Sequence, residues 1–521
     1  MCVVCACSKG FVISDAGAVG HGSDVVVPGV PPGQGYAHGL RGAAVAALVN
    51  GTVISIESGR AGSHEAAFQT ELLPALEAGQ ITLQQLQAAA TRALLPRFRV
   101  GLYDPPELVP WNQIPASVIE SPAHHSLARR AAAQSFVLLK NEGLLPLKTA
   151  TAGGPSTIAV VGFGANSTSS SINRYSGHPQ SSTSVWDGIS AAAAAGGGKA
   201  VLGASDSAAV ALVKAADVAV VVVSGEAEGE SHDRQQLGLP ADQLAFLSLL
   251  IATKVPLLVC TISGGAVDIT LAQQHAQAII AMYSGGMEAG SALADVVFGA
   301  VNPSGVLAAG IYKADCERHD CCACHCHRMV AAINTVIAFT VTMTIARLCA
   351  LLTGSNASDF LSMSIRKPPG RTHRYLQEEA VAAHILYPFG FGGSYSNWSA
   401  TVGALQPADE ISAAQLDAGG NITIAVTIHN LGGPVGSRVS YVMLRRVAAD
   451  PAEAWPRQWL PVHGFAKVHG VTASGSAAAA LVITARDLSR WDAASQRFTV
   501  RPGRYELQVR DAAHALELTV T

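Results

Sequence analysis

Four continuous apolar runs recur through the middle of this chain, at residues 158–161, 217–223, 256–261 and 278–282. They are rich in Val and Ile and show no polar alternation, so each reads as a strand buried on both faces. Helical stretches lie between them, at 206–216 and 241–252. That alternation predicts a mostly parallel sheet covered by helices on both sides. A short buried strand, Phe136-Val137-Leu138-Leu139, precedes the series and turns at Asn141-Glu142-Gly143. A helix opens just before it, with Ser121 as N-cap and Pro122 at its first position.

The flanks differ. Residues 10–17 (GFVISDAG) read as a short buried strand that delivers the carboxylate of Asp15 to its carboxyl end. Reactive groups of a parallel α/β barrel sit at that end, although an Asp there also starts turns and caps helices. Residues 21–36 are loop, and helices are expected at 40–48 and 65–76, the second ending near Gly79. Thr82 and Gln85 form a capping box ahead of Leu83, Leu86, Ala90 and Leu94. Pro96 is expected to kink or shorten that helix, and Gly101 fits its end. Residues 102–120 form a Pro-punctuated linker. From about Asn397 the period changes to two: Ile422, Ile424, Val426 and Ile428 alternate with small or polar residues, as do Val439, Tyr441 and Met443, and Tyr505, Leu507 and Val509. This predicts a small antiparallel β-sandwich.

With 521 residues the chain exceeds a single core. Its net charge of −3 gives no electrostatic case for nucleic acid or an anionic membrane. The ten cysteines cluster (Cys2, Cys5 and Cys7; Cys316, Cys321, Cys322, Cys324, Cys326 and Cys349) and leave Cys260 alone in ordinary sequence, unlike a disulfide-stapled secreted domain. Asn-x-Ser/Thr triplets at Asn50, Asn166, Asn356, Asn397 and Asn421 are compatible with a secretory route, while residues 1–10 carry no signal-peptide pattern.

Several stretches, in this order, resemble glycoside hydrolase family 3. GFVISDAGAV (10–19) is similar to that family's nucleophile strand, and TRALLPRFRVGLYDP (91–105) to the end of its barrel. HHSLARRAAAQSFVLLKNEGLLPL (124–147) resembles the entry to its second domain. GEAEGESHDRQQLGLPADQ (225–243) resembles its acid/base segment, and SGGMEAGSALADVVFGAVNPSGVL (284–307) the end of that domain. PGRTHRYL (369–376) and LYPFGFGGSYSNW (386–398) resemble the lead into a terminal fibronectin type III-like domain, and GFAKV (464–468) and RPGRYELQV (501–509) its strands. The flavour is nearest the plant and algal β-xylosidases, with β-glucosidases next.

The resemblance implies a retaining exo-glycosidase acting on oligosaccharides or glycosides, without a cofactor or metal, and an extracellular or cell-wall location. Two carboxyl groups about 5 Å apart flank the scissile bond in such enzymes. Asp15 matches the nucleophile. Glu226, Glu228 and Glu230 are candidates for the acid/base: three carboxylates at alternate positions repel one another, which favours keeping one protonated. Aligning Glu-x-Glu-x-x-Asp-Arg selects Glu228, the preferred assignment; aligning Ser224-Gly225-Glu226 selects Glu226. A solvated acidic loop is the plain alternative, and Asp233-Arg234 reads as a structural ion pair.

The expected architecture is α/β plus all-β. Residues 1–110 would be the C-terminal part of a (β/α)₈ barrel, 121–313 an α/β sandwich domain, 314–360 an atypical insertion, 361–395 a return to the α/β domain, and 396–521 the fibronectin type III-like domain. A (β/α)₈ barrel takes about 250 residues, so the expectation is an N-terminally truncated member lacking groups that hold sugar hydroxyls. A non-catalytic carbohydrate-binding or structural relative is the competing expectation. Ala16 stands where the family usually has Trp or Cys. Within 314–360, Cys316, His319, Cys321, Cys322, Cys324, His325, Cys326 and His327 fit no ordered zinc spacing. Residues 329–354 are apolar enough to suggest a membrane span, but Asn334 and Arg347 interrupt them and both flanks match one soluble domain. A translated intron or a surface insertion is the expected reading. Gly162-Phe163-Gly164 lacks the third glycine of a dinucleotide loop, since position 167 is Ser.

Overall fold

The computed structural model describes residues 10–24, 35–57, 66–172, 176–225, 236–313, 385–447, 460–492, 494–495 and 497–521. Glu226, Glu228, Glu230, Asp233, Arg234, the Cys/His cluster and the apolar stretch at 329–354 lie outside the described residues. Two compact units are resolved, 1–119 and 120–521.

In the first unit, β1 (Val12–Ile13) pairs in parallel with β2 (Thr52–Ile54). Helices α1 (Ala18–His21), α2 (Gly39–Val49), α3 (Ala67–Glu77) and α4 (Leu83–Arg99) accompany them. The core is small and alanine-rich: Val19, Ala44, Ala47 and Ala67 pack in one cluster, Leu48, Ala75, Ile81 and Ala89 in another. Two expectations need correction. The first strand is short and not buried, with Phe11 41% and Ile13 49% exposed, because only one face of a two-stranded ribbon is covered among the described residues. Pro96 does not shorten α4, which continues to Arg99. The helix ends one turn later, before Gly101 at φ 76°. The capping box forms as expected, with Gln85 N donating to Thr82 Oγ1 at 3.2 Å and Thr82 N to Gln85 Oε1 at 2.8 Å.

The second unit opens with α5 (Pro122–Ser135), capped by Ser121, and builds a six-stranded sheet. Its members are β3 (Val137–Asn141), β4 (Thr157–Gly162), β5 (Lys199–Gly203), β6 (Val218–Ser224), β7 (Leu257–Ile262) and β8 (Ala278–Ala281). Spatial order is β3-β8-β7-β6-β4-β5, all parallel except the antiparallel edge strand β3. Helices α6 (Val185–Ala195), α7 (Ser207–Lys214), α8 (Ala241–Ile251) and α9 (Thr270–His275) connect successive strands from β4 to β8, and α10 (Ala289–Val297) follows β8. The apolar runs have the predicted consequence: odd and even positions of each strand feed two separate cores. Val218, Val220, Val222, Leu258 and Cys260 enter one; Ala219, Val221, Val223, Leu257 and Val259 enter the other. Helices α6 and α10 cross at glycine, since a Cβ on Gly188 would overlap Gly290 O and one on Gly290 would overlap Ser184 O. Arg129 of α5 holds Asp295 of α10 through two bonds of 2.6 and 2.7 Å.

After a short antiparallel pair, β9 (Ile311–Tyr312) with β10 (Ile385–Tyr387), comes a sandwich. One sheet is β11 (Asn397–Gln406), β13 (Ile422–Gly432) and β16 (Ser476–Ile483). The other holds β12 (Glu410–Ile411), β14 (Gly436–Arg446), β15 (Leu460–Val471), β19 (Gly503–Val509) and β20 (Leu516–Val520). A short helix α11 (Ala413–Asp417) and a hairpin, β17 (Ser489–Asp492) with β18 (Arg497–Val500), complete it. Ile422, Ile424, Val426, Ile428, Tyr505, Leu507 and Val509 face the core as predicted, and the Tyr505 hydroxyl donates to Arg501 O at 2.6 Å. Strand β14 departs from expectation. Gly436, Ser440, Val442 and Leu444 are its buried positions, whereas Val439, Tyr441 and Met443 lie on the other, half-buried face. Tyr441 uses that face to meet the α/β domain, donating its hydroxyl to Gly390 O at 3.1 Å. A strand sandwiched between two apolar neighbours carries no polarity signal to mark which face is inner.

Candidate active site

Asp15 follows β1 by two residues, on the carboxyl side of a parallel pair. The turn that holds it is tied to the end of β2 and the residues after it: Ser14 N donates to Ile54 O at 2.9 Å, Ile56 N to Ser14 Oγ at 3.2 Å, and Gly17 N to Ile56 O at 3.0 Å. Gly17 adopts φ 67°, a left-handed geometry that glycine takes without a Cβ penalty, and the chain then enters α1. The Asp15 carboxylate is exposed and accepts Ala16 N at 2.8 Å. Glu57, beyond β2, turns both carboxylate oxygens to the start of α3, accepting Phe68 N at 2.7 Å and Gln69 N at 3.0 Å. Anionic groups are favoured there by the unpaired helix N–H groups. Asp24 accepts Gly39 N at 2.8 Å and pairs with His38 Nδ1 at 2.7 Å. The Gly39 bond, then the histidine, holds its carboxyl below the ordinary range.

In the second unit the strand order places a reversal between β4 and β6. The chain moves outward from β4 to β5, crosses back to β6, then proceeds through β7 to β8. Crevices at such switch points, outside the carboxyl ends of the strands, are where open α/β sheets bind ligands. At this one, Gly162 (φ 109°) brings its backbone against Val222, where a Cβ would overlap Val222 O, and Phe163 N donates to that same oxygen at 3.0 Å. Ser224 N donates to Oε1 of buried Gln243 at 2.9 Å, which fixes the end of β6 against α8. The segment carrying Glu226 and Glu228 leaves from Ser224-Gly225. It returns at Leu237, whose carbonyl accepts Asp268 N at 2.8 Å, next to a bridge between Gly238 and Asp268. The described residues on either side of the acidic segment are thus held, one at the end of β6 and the other beside Asp268. Among the described residues no group of three or more His, Cys, Asp and Glu side chains could hold a metal ion. No described helix is long and apolar enough to cross a membrane.

Residues 136–395 match the model of the glycosyl hydrolase family 3 C-terminal domain, and residues 448–513 match a fibronectin type III-like domain. The chain belongs to glycosyl hydrolase family 3. It is 28% identical over 523 residues to a probable exo-1,4-beta-xylosidase of Aspergillus clavatus, covering 96% of this chain and 59% of that protein. To Beta-D-xylosidase 1 of Arabidopsis thaliana it is 28% identical over 372 residues, covering 68% of this chain and 41% of that protein. The family 3 chain thus spans little more than half the length of the curated relatives it matches. Among solved structures, a GH3 exo-beta-xylosidase (XlnD) bound to a xylobiose aziridine activity-based probe superimposes with a TM-score of 0.72 at 22% identity, covering 99% of this chain and 61% of that one. A β-glucosidase from Erythrobacter marinus gives 0.70 at 23% identity, covering 98% and 63%. At those identities the likeness is one of fold.

The groups that sequence reasoning missed lie where the family 3 α/β domain meets the sandwich. Arg438 grips Asp511 through two bonds, Nε to Oδ2 at 2.7 Å and Nη2 to Oδ1 at 2.6 Å. Arg510 donates to Gly392 O at 2.8 Å and to Val439 O at 3.3 Å. Burial, and then the neighbouring Arg438 charge, pushes the Arg510 guanidinium down to about 10. Asn302 donates to Ser396 Oγ at 2.8 Å and accepts both Ser394 Oγ at 2.8 Å and Tyr395 N at 2.9 Å. Single arginines or asparagines have no periodicity, so nothing in the sequence pattern singles them out.

Proposed function

We propose that this family 3 chain belongs to a retaining exo-β-glycosidase that releases terminal β-linked xylose or glucose from oligosaccharides or other glycosides. The first unit is read as the C-terminal part of a (β/α)₈ barrel, residues 121–313 and 361–395 as the α/β sandwich domain with 314–360 inserted, and 396–521 as the terminal sandwich. Asp15 is the nucleophile. Glu228 is the acid/base, with Glu226 as the alternative.

The observation that carries the reading is that the described residues flanking the acidic segment are held, Ser224 at the carboxyl end of β6 by Gln243 and Leu237 by Asp268. Supporting it, Asp15 sits on the carboxyl side of a parallel strand pair, the edge from which barrel enzymes work. In the first step a carboxylate oxygen of Asp15 attacks the anomeric carbon. The bond to the leaving oxygen breaks, and the Glu228 carboxylic acid protonates that oxygen. In the second step the Glu228 carboxylate takes a proton from water, the water oxygen attacks the anomeric carbon, and the ester to Asp15 breaks.

The test is hydrolysis of chromogenic β-xylosides and β-glucosides by the wild-type chain and by Asp15→Asn, Glu228→Gln and Glu226→Gln. Asp15→Asn should abolish turnover. Loss of the acid/base should cost roughly 10²- to 10⁴-fold, in Glu228→Gln rather than Glu226→Gln. Equal rates in wild type and Asp15→Asn would dismiss the nucleophile. The competing reading, a non-catalytic relative, predicts no turnover by any of the four proteins.

A further inference from the structure

Beside the switch-point crevice, the carboxyl ends of β7 and β8 frame a cavity of about 150 Å³. Thr261, the turn at residues 263–266, Tyr283, Ala308 and Ala309 are among the residues that wall it. Just past the turn, Asp268 Oδ1 accepts Thr270 N at 2.8 Å and Thr270 Oγ1 at 2.6 Å, which fixes the entry to α9. Tyr283 has φ 52°, a backbone conformation that bulky residues rarely adopt and that clusters at ligand sites. The wall is chiefly glycine, alanine and aliphatic carbon, and its side-chain hydroxyls are those of Thr261, Ser263 and Tyr283.

That composition argues against a sugar. A pyranose buries several hydroxyls, and each needs a partner to offset its lost hydration. A flat aromatic ring with one hydroxyl makes a single such demand, and a cavity near 150 Å³ holds a benzene-sized ring. We propose that this cavity binds a monocyclic phenol, its ring against Tyr283 and the alanine methyls and its hydroxyl on one of the three protein hydroxyls. Its purpose, as the place where the leaving group of an aryl glycoside is accommodated, rests on the hydrolase reading. β7 pairs directly with β6, from whose end the acidic segment departs.

The test is binding of phenol to the intact chain by calorimetry and saturation-transfer NMR, with xylose as comparison and the variants Ala266→Leu and Ala309→Leu. Ala266 is half-buried in the wall, whereas Ala309 is exposed at the mouth, so the second variant keeps the test valid if the first fails to fold. Expected are saturable one-to-one binding of phenol, weakened at least about tenfold in the folded variants, and no displacement by xylose. Absence of saturable binding, phenol binding unchanged in the folded variants, or displacement by xylose would each overturn the proposal. Because the readout is binding, these results are independent of whether Asp15→Asn alters hydrolysis, so failure of one reading is distinguishable from failure of the other.

Discussion

Replacing Asp511 by Asn tests what joins the sandwich to the α/β domain. Asp511 adopts φ 64°, which Asn tolerates as well as Asp, so the backbone is left unstrained. The substitution removes the charge and turns one of two acceptors into a donor facing a guanidinium. Arg438 and Asp511 are 11% and 18% exposed, so their pairing takes place largely out of water. Breaking a buried pair from one side costs about 3–5 kcal/mol, because the surviving charge stays desolvated. Here Arg510, itself held down by burial and by Arg438, would lose the same counter-charge. Asn retains one acceptor, which places the expected loss near the lower figure, about 3 kcal/mol. For the unit 120–521 that corresponds to a fall of roughly 4 °C in the melting transition that contains the sandwich. The matched control is Arg504→Gln, since Arg504 and Glu517 are 61% and 75% exposed and form a surface pair; it should cost less than about 1 kcal/mol. Calorimetry of the full chain would decide. Equal shifts for Asp511→Asn and Arg504→Gln would refute the argument that burial gives the pair its importance.

Gly290→Ala should lose at least about 1–3 kcal/mol in urea unfolding, since its Cβ would overlap Ser184 O where α6 and α10 cross. Ser440 Oγ is buried in the sandwich without a hydrogen-bond partner among the described residues, so Ser440→Ala should leave stability unchanged or raise it by up to about 1 kcal/mol in the same assay. Asp217 accepts Thr157 N at 2.9 Å, with Ser156 Oγ at 2.8 Å and Ser156 N at 2.9 Å, and these bonds lower its pKa from 3.8. Its contribution is therefore full above pH 3.8 and declines as pH falls below that value through the folded-state pKa. Asp217→Asn should flatten that limb of the stability–pH profile, measured by thermal melts between pH 2 and 6, and an unaltered limb would contradict it.

The sheet domain was legible because its strands are buried on both faces, and that burial is written as continuous apolar runs at 218–223 and 257–260. Caps were equally plain: Thr82 with Gln85 and Ser121 before Pro122 both close helix ends as local chemistry requires. Strand β14 was misread because Val439, Tyr441 and Met443 are as apolar as the true core positions; only the neighbouring domain explains why. Pro96 stands in the final turn of α4, and the helix runs on past it to Arg99. For the candidate site, the strand and the turn that carry Asp15 were legible in the sequence. The role of Gln243 in fixing the end of β6 needed the fold, since the two meet across 19 positions of sequence.

Covalent trapping tests the central claim most directly. A xylose-configured aziridine is opened by a nucleophilic carboxylate to leave an ester on the protein, and peptide mapping by mass spectrometry locates it. The account predicts one modified peptide, esterified at Asp15, and no modification of Asp15→Asn. Labelling that survives unchanged in Asp15→Asn, or an ester formed on another carboxylate of the wild-type chain, would contradict it.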